Sequence, residues 1–137
     1  MHCMRCGRCC TETEMLLSCI DIQRLEQLGY KVRAFAWFDK TGYARLRNKR
    51  RHCVFYNVAE HSCKVYPYRP EGCRLYPIIY DDENGIIVDC ICSASWTVST
   101  EELSEKSQQV LQLLKRIDEE ALNRRTSKQC NHQLKYD

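Results

Sequence analysis

"CMRCGRCC", residues 3–10, places four cysteines in eight positions, the last two adjacent. So much sulfur in so little backbone admits three readings: a disulfide framework, a redox-active thiol pair, or ligation of a metal or an iron–sulfur cluster. The chain holds eleven cysteines in 137 residues, a share at the edge of that found in folds held together by sulfur. No positively charged start leads into an apolar run ahead of Cys3, so a signal peptide is not expected and the chain reads as cytoplasmic. In a reducing cytosol, clustered cysteines serve as ligands or catalytic groups rather than structural disulfides. An odd total also leaves one thiol over if all the others pair. Ligation is therefore the expectation.

Cys3, Cys6 and Cys9 form C-x2-C-x2-C, in which a turn of irregular backbone aims several thiolates inward. Such pairs hold zinc, and the three-cysteine run also begins the bacterial ferredoxin pattern. That pattern leaves three residues before its fourth cysteine, whereas Cys10 follows Cys9 at once, so this is not a ferredoxin signature. Neighbouring side chains diverge, and Cys9 and Cys10 then reach different ions or different iron atoms. A multinuclear site, or two sites sharing this loop, follows. The remaining ligands must come from afar, from Cys53, Cys63, Cys73 and one or both of Cys90 and Cys92.

Length sets one domain, able to bury roughly two thirds of its unfolded surface. No run reaches the roughly 18 apolar residues of a membrane span, so no membrane association is expected. The formal charge of +3 counts each cysteine as a neutral thiol. Ligating cysteines are thiolates, and eight of them on two divalent ions would bring the net charge to about −1. Overall charge thus gives no reason to expect a nucleic-acid partner.

Outward from the cysteine loop, Ile22, Leu25 and Leu28 recur at helical spacing and Gly29 supplies a left-handed stop, predicting a short helix over 19–28. "KVRAFAWF", 31–38, reads as a further helical turn or two, and "DKTG", 39–42, as a turn. "YARLR" and "HCVFYN", 43–47 and 52–57, read as strands around the basic run "RLRNKRRH". The three prolines make Tyr66–Pro77 a rigid irregular loop with Cys63 and Cys73 near its ends. "YPIIY" and "GIIVD" flank "DDEN" as a hairpin. Ser99 and Glu102 form a capping-box pattern opening a helix to about 123, with Leu103, Ser107, Val110, Leu114, Ile117 and Ala121 on one face. The expected fold is a small irregular α+β cysteine-cluster domain organised by metal, with short strands, a short N-terminal helix and a long C-terminal helix. Residues 1–98 form the metal-binding part, 99–124 the helix packed on it, and 125–137 a flexible tail.

The run C-M-R-C-G-R-C-C, then D-I-Q-R-L with Gly29 close behind, then Cys53 and C-K-V-Y-P-Y-R-P-E-G-C-R-L-Y-P, resembles the CxxCxxCC cysteine-cluster family, also called YkgJ-like, over residues 3–92. That family is described as zinc- or iron-chelating, with no assigned reaction. The resemblance implies Cys3, Cys6, Cys9, Cys10, Cys53, Cys63 and Cys73 as ligands. The family's last cysteine usually precedes proline and glycine, but "DCICSA" offers two cysteines and neither of those. Cys92 is the chosen eighth ligand, because the Asp three residues before it resembles the family pattern, with Cys90 kept as the alternative or an additional ligand. Zinc ions and an iron–sulfur cluster both suit thiolates, so the metal stays open, as does a structural or a redox role.

Other features carry less. Cys19 reads as a buried or free thiol on a helix, and Cys130 lies in the tail. Arg69 and Arg74 flank Cys73 and either tune a many-thiolate site or pair with surface carboxylates. None of His2, His52, His61 and His132 is chosen as a ligand. Arg45, Arg47, Lys49, Arg50 and Arg51 read as a solvated loop. The long helix packs on the core or offers its stripe to a protein partner. No phosphate-binding glycine loop, H-E-x-x-H or nucleophile elbow is present. Longer relatives of the family include flagellin lysine N-methylases, which makes cluster-dependent lysine methyl transfer the enzymatic alternative.

Overall fold

The chain is described by a computed structural model over residues 10–89 and 97–126. Its first helix begins where the chain supplies its own cap. Ser18 accepts a hydrogen bond from the Asp21 N–H while the Asp21 carboxylate accepts one from Ser18, a capping box that starts α1 (Cys19–Gln27). Ile22 and Leu25 turn inward, and Gly29, at φ +101°, ends the helix as predicted. The stretch 31–38 departs from expectation. It divides into a single helical turn, α2 (Val32–Phe35), and a strand, β2 (Ala36–Phe38). The run of apolar residues suits either period, and pairing decides it: β2 aligns with β3 (Ala44–Leu46), which also pairs with β1 (Leu16–Leu17).

Two-residue strands follow. β4 (Asn48–Lys49) and β5 (His52–Cys53) pair across Arg50 and Arg51, whose φ values of 53° and 73° make a two-residue turn of the hairpin-favouring hand. The basic run is thus a hairpin rather than a loop. "HCVFYN" is not one strand either. The chain turns after β5 so that Phe55 enters the core against the rings of Tyr30 and Phe35, and β6 (Tyr56–Asn57) then pairs with β7 (Ser62–Cys63). The proline-rich segment is also more regular than predicted. Pro67 sits in a 3-10 turn, Tyr66–Tyr68, and Pro70 is the N-cap of α3 (Glu71–Leu75), so these prolines start helical turns. β8 (Ile78–Asp81) and β9 (Gly85–Val88) form the expected hairpin.

The long helix, α4 (Thr100–Thr126), runs three residues past its expected end. Ser99 accepts from the Glu102 N–H at 3.0 Å. Val110, Leu113, Ile117 and Ala121 are its buried residues; Leu113, not Leu114, is the deeper of that pair. Leu75, Ile78, Val110, Leu113 and Ile117 form one core between α3, the hairpin and α4, while a second lies among α1, α2 and the three-stranded sheet. The two halves are tied by polar contacts. Glu120 accepts the Cys19 N–H at 3.0 Å, and Arg124 reaches the Gly42 carbonyl at 2.9 Å and the Cys19 sulfur at 3.4 Å. Gly42 has φ +90°, and a Cβ there would stand 2.5 Å from the Ala121 carbonyl oxygen, so only glycine lets this turn lie against α4.

That turn is organised by Asp39. One carboxylate oxygen accepts from the Thr41 hydroxyl and from the N–H groups of Thr41 and Tyr43, and the other from Arg45 at 2.9 Å. Partial desolvation raises the carboxyl's pKa, but these bonds outweigh it and hold Asp39 down at about 2. A carboxyl depressed on folding adds stability above its unfolded pKa, and that contribution is lost as pH falls through its folded one. Asp39→Asn should therefore cost about 1 kcal/mol near pH 6, allowing for solvent screening, with the deficit vanishing between pH 4 and pH 2. Urea titrations of both proteins across that range check it. A deficit unchanged at pH 2 would remove the carboxylate's charge from the explanation.

Candidate metal centre

Cys10 enters the fold through backbone pairing. Thr11 bridges His52 in antiparallel sense, Cys53 donates its N–H to the Cys10 carbonyl, and Glu12 donates to that of Arg51. This register sets Cys10 directly opposite Cys53. Successive residues of a strand face opposite sides, so Cys10 and Cys53 share one face and Thr11 and His52 the other. Cys53 is buried and Cys10 half-buried, both against the core that contains Leu17, Phe35 and Phe55. Cys63, opposite Tyr56 in the β6–β7 pair, borders the same core, and the Lys64 N–H donates to the Phe55 carbonyl just beyond it.

Cys73 reaches that core from α3, and α3 is held by α1. Asp21 is fully buried; one of its oxygens accepts from Ser18 N–H and the other from the N–H of Glu71, the first residue of α3, each at 3.0 Å. Burial pushes the Asp21 carboxyl up, against the pull of these bonds. Arg24 lies 3.5 Å from Asp21 and donates to the Arg69 carbonyl at 3.1 Å, and Arg116 of α4 meets Glu71 at 3.2 Å. Asp21 and Arg24 are positioning residues that a search for ligands passes over. The readable signal was Ser18-x-x-Asp21, a capping pair whose acid has a second use. Among the described residues, Arg69 and Arg74 meet neither sulfur nor carboxylate: they donate to the carbonyls of Tyr66 and Pro67, and Arg69 stacks on the Tyr66 ring at 3.9 Å.

Four of the predicted ligands, Cys10, Cys53, Cys63 and Cys73, thus border a single core from separate segments, and no disulfide joins one described cysteine to another. Among the described residues, no three cysteine, histidine or carboxylate side chains converge closely enough to hold an ion. Cys3, Cys6, Cys9, Cys90 and Cys92 lie outside the described residues, as do His2, Cys130 and His132. Cys19 stands apart near α4, where burial and then Glu120 push its thiol up, against Arg124. Among the described residues, the Nδ1 atom of His52 is buried without a hydrogen-bond partner, at a cost of about 1–3 kcal/mol for a nitrogen left uncompensated. His61, at φ 50°, lies 3.3 Å from the Tyr56 hydroxyl through its Nδ1. Thiols bordering a largely apolar core suit a thiophilic ion such as zinc or iron.

A family model described as "putative zinc- or iron-chelating domain" and named CxxCxxCC matches residues 2–93. The chain belongs to the CxxCxxCC family. Cys3, Cys6, Cys9 and Cys10 spell the family's name, and the match takes in every cysteine between them and Cys92. It ends before α4 begins, so the CxxCxxCC region comprises the sheets, α1 to α3 and the hairpin. No curated protein and no solved structure matches the chain. No described helix is long and apolar enough to cross a membrane.

Proposed function

We propose that this protein is a chelating module in which Cys3, Cys6, Cys9, Cys10, Cys53, Cys63 and Cys73, with one or both of Cys90 and Cys92, hold zinc ions or an iron–sulfur cluster. The observation that carries the reading is the placement of Cys10 opposite Cys53, with Cys63 and Cys73 bordering the same core. The clamp from Asp21 to α3 supports it further, since it fixes the helix that carries Cys73. Bound zinc would cross-link the loops and contribute folding energy, while an iron–sulfur cluster would add one-electron chemistry.

Anaerobic purification followed by metal and acid-labile sulfide analysis tests the proposal and separates its two forms. Two zinc ions per chain without sulfide are expected for a closed structural site, because eight thiolates complete two four-coordinate ions. Iron with matching sulfide and a reversible redox transition is expected for a cluster. Colourless, sulfide-free protein without bound metal would end the chelating reading.

A further inference from the structure

Beyond the cysteines, the described residues enclose a groove of about 710 Å³ between the extended segment 11–16 and β8, floored by the end of α3 and by α4. Its floor is the outer edge of the core already described, the buried Leu75, Ile78, Val110, Leu113 and Ile117, with half-buried Leu16 beside them. Met15 forms part of the wall, its sulfur seated over Gly72, where a Cβ would stand 2.4 Å away. Methionine is the apolar side chain that best adapts to varied partners. At the mouth stands Tyr80, nearly half exposed.

The groove's charge is of one sign. Glu12, Glu14, Asp82, Asp89 and Asp118 line it, and no lysine, arginine or histidine does among the described residues. This is a local concentration, because the chain as a whole is formally +3. Asp118 accepts from the Tyr43 hydroxyl and Asp89 from that of Tyr76, and Glu12 meets Arg51 at the surface. No described basic group meets the carboxylates of Glu14 and Asp82, which stand exposed on opposite walls.

We infer that this groove docks a cationic, amphipathic segment of a partner protein. Its apolar side chains would enter between Met15 and Ile79, and its lysines or arginines would meet Glu14 and Asp82 on either side, one of them over the Tyr80 ring. The volume matches a pocket that takes a few side chains rather than a whole domain face. A rim of one sign around an apolar floor selects for opposite charge and speeds encounter.

The test is fluorescence anisotropy with the metal-loaded full chain and a short labelled peptide of alternating Leu and Lys. Saturable binding that weakens with salt is expected. The double variant Glu14→Lys/Asp82→Lys should weaken it about tenfold or more, and Tyr80→Ala several-fold. All three positions are exposed, so folding should be unaffected, and metal content equal to wild type keeps the result independent of chelation. A peptide with Glu in place of Lys should not bind. The inference fails if the charge-reversed variant binds as tightly as wild type. It fails also if a peptide without leucines binds equally well, since the apolar floor would then be unused. Sedimentation showing a dimer that the same charge reversal dissociates would assign the groove to a second copy and overturn it too.

Discussion

Cys63→Ser is expected to lower bound metal to half or less of the wild-type amount and the melting temperature by about 10 °C or more. The magnitude rests on two steps. A site whose ligands are all supplied by the protein converts binding free energy into folding free energy, so one lost thiolate is felt as lost stability of several kcal/mol. For a chain of this size each kcal/mol moves the midpoint by about 3–5 °C. Cys19→Ser is the matched control: a serine hydroxyl can keep the contact with Arg124, and that position is neither at the cysteine-lined core nor among the proposed ligands. It should retain full metal and shift the midpoint by only a few degrees. Mass-spectrometric metal analysis and thermal melts on the two variants decide the matter. Equal metal and equal melts would remove Cys63 from the ligand set.

The features legible in the sequence were those with a local cause. α1 and α4 announce themselves by apolar spacing, and the β8–β9 hairpin by turn residues between β-branched runs. What escaped depends on partners distant in sequence. Residues 31–38 are apolar enough for helix or strand, and only pairing with Ala44–Leu46 makes their second half a strand. The Arg50-Arg51 turn was hidden because two-residue hairpin turns are recognised by Asn-Gly and similar pairs, not by two arginines at positive φ. Prolines suggested irregular backbone around Cys73, yet a proline also suits the first positions of a helical turn. The cysteine-bearing segments were readable one by one from spacing. That Cys10 faces Cys53 was not, because it follows from the Thr11–His52 bridge.

Asp21→Ala should destabilise the protein by about 3–5 kcal/mol, the range of the most damaging single substitutions. The carboxylate is fully buried and accepts two backbone N–H groups from different elements. Alanine leaves both without an acceptor. Ser18 is itself fully buried, so its N–H cannot turn to water and alone costs about 1–3 kcal/mol. Loss of the capping box at α1 adds about 1 kcal/mol. The Glu71 N–H opens the first turn of α3 and is half-buried, so its loss loosens the helix that holds Cys73. Asp21→Asn should cost far less, about 1–2 kcal/mol. Its single amide oxygen satisfies one N–H and its amide nitrogen opposes the other, but the neutral side chain avoids the burial of charge that pushes the Asp21 carboxyl up. Denaturant titration of wild type and both variants gives the ranking, and hydrogen exchange at Glu71 reports the clamp itself. Faster exchange there in Asp21→Ala, with α4 amides still protected, is the expected signature of α3 coming loose from α1. Equal stability of Asp21→Ala and wild type would mean that α3, and with it Cys73, is held by something other than this carboxylate.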